Sequence, residues 1–241
     1  MSVITEKTVR ELALERTGAT RVFEALGIDY CCGGDLPLGQ ACQAAHIPVA
    51  KVLESLEAAG RSTSTRPKGQ DWQAAPLGDL ISHINATHHK FTRSEIARLG
   101  PLFEKVCSVH GANHPELLQL RDIFAALCQE LTSHLMKEEM VLFPYITRME
   151  EALEEKAPVL PPPFGTVQNP VAMMEHEHHA AGNALRSLRE ISHGYAAPAD
   201  ACVSYQTLYQ ALAKFEADLH QHIHLENNIL FPRAIAMEQA H

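Results

Sequence analysis

One metal-binding pattern occurs twice in this chain, and it constrains the possible fold more than any other feature. The segments His134–Pro144 and His222–Pro232 both read His-x-x-x-Glu followed at the same distance by Leu-Phe-Pro, 88 residues apart. Residues i and i+4 share one face of an α-helix, so each copy directs an imidazole and a carboxylate to one point. A single copy arises easily by chance on an amphipathic helix. Two copies with matched flanks predict a metal site between facing helices.

The repeat extends upstream, because a histidine precedes each copy at nearly the same distance. His89 lies 45 residues before His134, and His178 lies 44 residues before His222. Two helical hairpins related by a pseudo-two-fold axis would bring four histidines and two glutamates to the middle of a four-helix bundle. Bundle cores are where di-iron and di-manganese proteins place such ligands. The donor set suits iron or manganese, and zinc remains an open alternative.

Composition excludes several classes of function. The formal net charge is -9 and no cluster of Lys and Arg is present, which argues against a nucleic-acid-binding surface. No apolar run is long enough to cross a membrane, and the first residues lack the apolar stretch of a signal peptide. Six irregularly spaced cysteines do not form a disulfide scaffold. These features predict a cytoplasmic protein that binds neither nucleic acid nor membrane.

Helical periodicity and turn residues predict an all-α chain with two domains. Residues 1–60 form a small helical module, residues 61–75 a polar linker, and residues 76–241 a four-helix bundle. Thr8-Val-Arg-Glu11 is a capping box that opens a helix in the module. In the bundle, Gly100-Pro101 is expected to interrupt the first long helix. The helix that carries His134 is expected to continue past Pro144.

The remaining polar and sulfur residues are expected to be structural. His83 lies off the ligand face and is interpreted as a surface histidine or one that supports a ligand. Glu139 is interpreted as a solvated charge. His220 and His224 are expected to be exposed. Packing is predicted for three groups of side chains: buried thiols at Cys107, Cys128 and Cys202; core methionines at Met136, Met140, Met173 and Met174; and a dry wall around the site at Leu142, Phe143, Leu230 and Phe231.

Cys31 and Cys32 are adjacent thiols in the turn-rich loop Asp29–Asp35. One interpretation is a pair of small apolar residues that dock the module. The favoured interpretation is a redox, nitrosyl or iron-handling role in a flexible loop, since an exposed thiolate is both a nucleophile and a metal ligand. The pair is therefore the candidate for chemistry outside the metal site.

These motifs together resemble a known family. Asp29-Tyr-Cys-Cys-Gly-Gly34 resembles the signature of the ScdA-type N-terminal domain, and the two histidine-glutamate segments with Glu177-His178 resemble a hemerythrin-like domain. The combination is similar to the repair-of-iron-centres family of bacterial di-iron proteins, of the ScdA/YtfE type. The resemblance covers nearly the whole chain.

The resemblance implies a hemerythrin-like bundle with two iron ions, bridged by carboxylate and oxo groups. Terminal ligands would fall on His89, His134, His178 and His222, bridging ligands on Glu138 and Glu226, and a further carboxylate at or near the irons on Glu177. His88, beside His89, departs from the Tyr expected there. It also implies a cytoplasmic stress-response protein that binds or processes nitric oxide and helps to restore damaged iron–sulfur proteins, with iron donation as one route. A nitric oxide reductase and a dioxygen-binding module remain alternatives, and whether the chain forms a dimer is left open.

Overall fold

The structure is a computed structural model that describes residues 2–62, 70–158 and 161–240 of the 241-residue chain. Residues 63–69 of the predicted linker and 159–160 of the Pro-rich crossover lie outside these ranges. Regular structure in the described ranges is helical, and one isolated antiparallel bridge joins Thr8 and Pro37. The all-α prediction is confirmed. None of the described helices combines the length and apolar character needed to span a bilayer.

The chain forms two compact units, of which the first comprises Met1–Ala75 and Ile223–Ile229. Its capping box is confirmed: the Thr8 side chain accepts from the backbone of Glu11, whose carboxylate accepts from the backbone of Thr8. Its core holds fully buried Leu12 and Phe23. Before the linker, the described helices of this unit are α1 (Ser2–Glu6), α2 (Val9–Glu15), α3 (Ala19–Leu26), α4 (Leu38–Ala44) and α5 (Val49–Ser62).

The second unit comprises Pro76–His222 and Leu230–His241, and its long helices form a bundle. Helix α8 packs against α7 and α10, while α9 packs against α6 and α12. The ring of Phe124 on α8 meets Phe215 on α11 edge-on at 5.5 Å. The helices are α6 (Leu77–Ile84), α7 (Lys90–His110), α8 (Glu116–Lys137), α9 (Phe143–Glu155), α10 (Gln168–Ile191), α11 (Val203–Leu225) and α12 (Phe231–Gln239).

Within the described ranges, three five-residue π-helical segments interrupt the bundle helices without ending them: Asn85–His89, Glu138–Leu142 and Glu226–Leu230. The last two immediately precede Phe-Pro. A proline lacks the N–H for the bond to residue i−4 and crowds that carbonyl. For Pro144 and Pro232, residue i−4 falls inside the π-helical segment, so the wider turn accommodates the proline. The helix therefore continues beyond Pro144 as α9, as predicted, and π-helical turns are common at functional sites.

The predicted break at Gly100-Pro101 is wrong, because α7 is continuous from Lys90 to His110. The Pro101 ring faces solvent, and an added Cβ at Gly100 would meet no atom within 4 Å. On an open helix face, the loss of one backbone bond is tolerated, since water can hydrate the freed carbonyl.

Several packing predictions need correction. Among the three thiols, Cys107 is buried, Cys128 is half-buried and Cys202 is exposed at the start of α11. Of the four methionines expected in the core, only Met174 is buried. The other three lie on outward faces of their helices: Met136, Met140 and Met173 are 58%, 74% and 54% exposed. Helical spacing alone did not distinguish these faces.

Candidate metal centre

Two groups of buried side chains meet in the bundle, and both contain the same pair of carboxylates. In each group the ligand atoms of its four residues all lie within 4.8 Å of one another. The groups are His89 with His222, and His134 with His178, each joined by Glu138 and Glu226. All six side chains are at most 3% exposed. We name the two positions by their histidine pairs, the 89/222 position and the 134/178 position.

Each position combines the histidine of one sequence repeat with that of the other. The Nε2 atoms of His89 and His222 are 3.1 Å apart, and those of His134 and His178 are also 3.1 Å apart. Thus the upstream histidine of each hairpin pairs with the His-x-x-x-Glu histidine of the opposite hairpin. This is the arrangement expected of a pseudo-two-fold axis through the site.

Glu138 has one carboxylate oxygen towards each position. Its Oε2 lies 3.4 Å from His89 Nε2, and its Oε1 lies 3.3 Å from His134 Nε2. Since His134 and Glu138 are one helical turn apart, the distance between them follows from the spacing of the motif, whereas the distance to His89 depends on how the helices pack. A carboxylate in this orientation can bridge two cations.

The Leu-Phe-Pro segments form the apolar wall predicted from the sequence. Leu142, Phe143, Leu230 and Phe231 are all at most 2% exposed. The ring of Phe143 stacks on His89 at 5.6 Å, and the ring of Phe231 stacks on His178 at 6.0 Å. Each repeat therefore packs its phenylalanine on the upstream histidine of its own hairpin, which restricts rotation of that imidazole.

Two further carboxylates hydrogen-bond to the Nδ1 atoms of two of these histidines, on the side of each ring away from Nε2. His89 Nδ1 donates to Glu139 Oε1 at 2.7 Å, and His134 Nδ1 donates to Glu177 Oε2 at 2.8 Å. An Nδ1–H bonded to a carboxylate leaves the Nε2 lone pair directed at the metal position. The prediction that Glu139 is a solvated charge is wrong, because the π-helical turn directs it onto His89. Glu177 lies outside both ligand groups and contacts His134 instead.

Basic side chains balance these two carboxylates. Partial burial opposes ionisation of Glu139, but hydrogen bonds from Arg93 and His89 give it a pKa below its usual range. Glu177 is likewise partly buried, and hydrogen bonds from Lys137 and His134 lower its pKa in the same way. Both groups are therefore anions at neutral pH and act as acceptors for the imidazoles.

The neighbours of the ligands separate into distinct roles. His88 lies outside both groups, bonds through Nδ1 to Asp218 at 3.1 Å, and stacks parallel to His222 at 5.7 Å. His83 is half-buried. Its pKa is lowered mainly by burial and further by the charge of His88. The prediction that His224 is exposed is wrong: it is 4% exposed, edge-on to the Tyr30 ring at 5.5 Å. His220 is half-buried rather than exposed.

The donor set fits metal cations. Two carboxylates and four imidazoles converge in a buried volume, and an anion deprived of water needs a nearby positive charge. His89 and His134 present Nε2 lone pairs, which a cation can accept. Nitrogen and oxygen donors of this type suit iron and manganese, with zinc also compatible. The arrangement can therefore hold metal ions at two adjacent positions.

A cavity of about 300 Å³ reaches the 134/178 position. His134 and His178 contribute to its wall, with the polar side chains of Glu130, Lys137 and Glu177 beside them. His89 and His222 do not line this cavity. A small molecule that enters this cavity would contact the side chains of His134 and His178.

The Cys31-Cys32 loop is ordered by Asp29. Asp29 Oδ1 accepts from the backbone of Cys31 at 3.2 Å and of Cys32 at 2.8 Å, and from Cys31 Sγ at 3.4 Å. Cys31 is 5% exposed and Cys32 is half-buried, so the expectation of two exposed thiolates is wrong for Cys31. Hydrogen bonding to Cys32, together with burial, raises the pKa of Cys31 well above its usual value. Asp29 and the two thiols form a third group of possible metal donors.

Asn227 and Asn228 hold this loop, and sequence reasoning missed both. Asn227 Nδ2 donates to the Cys31 carbonyl at 3.1 Å, and Asn228 Nδ2 donates to the Tyr30 carbonyl at 2.9 Å. Both asparagines are at most 5% exposed. Their position directly after Glu226, where the first repeat has Glu139 and Met140, is the sequence signal that could have identified them.

Comparison with known proteins defines the class. Residues 80–234 match the hemerythrin HHE cation-binding domain, and residues 5–60 match ScdA_N, a domain of unknown function. The chain therefore belongs to the hemerythrin HHE cation-binding family and carries the ScdA_N domain, as the sequence resemblance predicted.

Full-length relatives are more specific. The chain is 34% identical over 234 residues to the iron-sulfur cluster repair protein YtfE of Pectobacterium carotovorum, covering 97% of this chain and 98% of that protein. It is 34% identical to a probable iron-sulfur cluster repair protein of Haemophilus influenzae, with 95% and 97% covered. It is 35% identical to YtfE of Edwardsiella ictaluri, with 95% and 97% covered.

Proposed function

We propose that the chain is a cytoplasmic non-haem di-iron protein of the nitrosative and oxidative stress response, which supports repair of damaged iron–sulfur proteins. The observation that carries the proposal is the pair of buried ligand groups that share Glu138 and Glu226. Relatives named as iron-sulfur cluster repair proteins over nearly their whole length support the repair role.

In this proposal His89 and His222 would hold one iron and His134 and His178 the second, and Glu138 and Glu226 would supply carboxylate oxygens to both. The bound pair supplies a redox-active centre able to bind nitric oxide. Glu139 and Glu177 orient imidazoles towards the irons, and the Leu-Phe-Pro segments exclude water around them. Exclusion of water and a fixed orientation of the ligands tune the redox potential of such a centre.

Repair by iron donation can be tested with the whole chain. Protein purified without oxygen should contain about two irons per chain by elemental analysis. It should reactivate a nitric-oxide-damaged [4Fe–4S] dehydratase in cell extract, while the same protein stripped of iron should not. Equal reactivation by the stripped protein would exclude donation, and an iron content well below two would exclude the di-iron centre.

Nitric oxide reduction is the second candidate, and the cavity at the 134/178 position favours access by a small molecule. Rapid mixing of the ferrous protein with nitric oxide separates the two. Release of nitrous oxide, with two electrons taken from the centre per pair of nitric oxide molecules, would establish an enzyme. A stable nitrosyl spectrum or loss of iron supports binding and donation, and reversible binding of dioxygen alone would indicate a dioxygen-binding module.

A further inference from the structure

Carboxylates hold the outer nitrogens of the His89 and His134 imidazoles, and these two carboxylates are themselves held differently. Glu139 accepts from Arg93 Nη1 at 2.8 Å and from Arg93 Nη2 at 2.9 Å, so the guanidinium grips both oxygens. Its Oε1 also accepts from His89. A two-pronged Arg–carboxylate pair fixes orientation as well as charge.

The arrangement behind His134 is looser. Glu177 divides its two oxygens between His134 Nδ1 and the Lys137 ammonium. An ammonium is a single point of charge on a flexible stem, so it fixes the orientation of a carboxylate less firmly than a guanidinium does. Glu177 and Lys137 also line the cavity that reaches this position.

The surroundings of the two positions differ in the same sense. His89 and His222 are 0% exposed, and neither contributes to the wall of this cavity. His134 and His178 do contribute to that wall. Water or a chelating molecule that enters this cavity therefore reaches side chains of the 134/178 position.

The sequence shows that these supports are particular to each position. Glu139 corresponds to Asn227 in the second repeat, and Glu177, directly before His178, corresponds to His88, directly before His89. The repeated parts of the motif are thus the ligands and the Leu-Phe-Pro segments. The carboxylates that hydrogen-bond to the ligands are not repeated, so the symmetry of the ligands does not extend to these supporting carboxylates.

We propose that Glu139, held by Arg93, is a positioning residue for His89, and that it makes the 89/222 position retain its metal ion while the ion at the 134/178 position exchanges first. The inference rests on the proposed function, because it requires two bound ions. An ion leaves when its ligands swing away, and a ring clamped at Nδ1 returns to the ion before it escapes. The two-pronged clamp acts at the 89/222 position, whereas the cavity borders the 134/178 position.

The test is the release of iron from the full-length ferrous protein to an excess of a water-soluble ferrous chelator, without oxygen. Wild type should lose its two ions in two phases of one ion each. Glu139→Gln keeps the shape of the side chain but removes its charge, and it should accelerate the slow phase alone by about 10–100-fold, the usual effect of losing such an outer partner. His178→Gln should remove the fast phase and so identify its position.

Glu95→Gln is the matched control. It breaks the Arg98–Glu95 pair on α7, the helix that carries Arg93, without touching a ligand. It should leave both phases unchanged. If Glu139→Gln does not fold, Arg93→Gln tests the same clamp. The slow-phase rate of Arg93→Lys should lie between those of Arg93→Gln and wild type.

Release of both ions in one phase, or acceleration of the fast phase alone by Glu139→Gln, would overturn the inference while leaving the di-iron centre standing. Fewer than two ions in the starting protein would overturn the proposed function and this inference with it. Equal melting temperatures of the metal-free variants would show that the effect is on the ligand and not on the fold.

Discussion

The two repeats carry the same ligands, but the residues that follow them have different partners. In the first repeat, Glu138 is followed by Glu139, which accepts from the ligand His89. In the second, Glu226 is followed by Asn227, which donates to the carbonyl of Cys31. The same place on a π-helical turn thus orients a metal ligand in one copy and holds the cysteine loop in the other. A duplicated metal site need not duplicate every residue that supports its donors.

The backbone of the two repeats also has one shared feature and one difference. Both copies place a five-residue π-helical segment between the ligand histidine and Phe-Pro, so this distortion belongs to the repeated motif. The upstream histidines differ: His89 ends a π-helical segment, whereas His178 lies within the regular helix α10. One upstream histidine therefore has a backbone adjustment that its counterpart lacks.

Removing one of the two shared carboxylates should cause the largest loss of bound iron, whichever repeat it belongs to. We expect Glu138→Ala and Glu226→Ala each to lose most of the bound iron, because each deletes a donor that both positions share. Removing one histidine, as in His178→Ala, should cost less, because only one position loses a donor. Iron per chain, measured by elemental analysis, checks the order.

His83→Ala is the control for that series, since His83 lies outside both ligand groups and should keep full iron. Retention of full iron by both glutamate variants would remove these residues from the metal centre. Iron loss in only one of them would show that the repeats are unequal in their bridging ligands as well as in their support.

Replacing Asn228 should have the next largest effect, which is a decrease in the free energy of unfolding. Its amide nitrogen bonds both the Tyr30 carbonyl and His224 Nδ1, at 2.9 and 2.7 Å, and its oxygen accepts from Arg10 at 2.7 Å. Asn228→Ala leaves buried groups without these bonds and should lower the free energy of unfolding by about 1–3 kcal/mol. Met140, its counterpart in the first repeat, is exposed, so Met140→Ala should change stability little.

Denaturant unfolding of metal-free protein checks this pair of variants, since bound metal adds its own stabilisation. Equal unfolding free energies for Asn228→Ala and wild type would mean that the asparagine of the second repeat is not needed to hold the loop. A large loss in Met140→Ala would contradict the outward orientation of that side chain.

Asn227 should have a smaller and more local effect. Its bond to the Cys31 carbonyl is one of the contacts that hold the loop, and Asp29 supplies others. We expect Asn227→Ala to raise the rate at which Cys31 reacts with a thiol reagent several-fold, measured by mass spectrometry of labelled peptides. The exposed Asn113→Ala serves as control, and an unchanged Cys31 rate would show that the Asn227 bond is not needed to shield Cys31.

Much of this site follows from the sequence because its donors are repeated at helical spacing. The pairing of His134 with Glu138, and of His222 with Glu226, needs only the i, i+4 geometry of one helix. The upstream offsets did not by themselves distinguish His89 from His88, because His88 and His176 both lie 46 residues before their motif histidine, and the family resemblance made that choice. The helical class likewise follows from periodicity and from capping residues such as Thr8.

The supporting residues could not be predicted in the same way. Glu139 follows Glu138 directly, so a regular helix would turn it about 100° away from the ligand face. The π-helical turn alters that direction, and nothing in the local pattern marks a widened turn except the proline six residues after Glu138. Exposure of Met140 and burial of His224 depend on which other helices pack there, which one segment does not encode.

The smallest effect on the fold is expected from the cysteine pair, and it separates the two interpretations of that loop. In Cys31→Ser/Cys32→Ser, a serine hydroxyl can still donate to Asp29, as the Cys31 thiol does at 3.4 Å. Iron content should stay at the wild-type value and the melting temperature should change by only a few degrees. If the thiols act in repair, reactivation of a nitric-oxide-damaged iron–sulfur enzyme should fall to a small fraction of the wild-type rate. If they only pack, the variant should lose stability but repair normally once folded, while full stability with full repair would leave function to the metal centre alone.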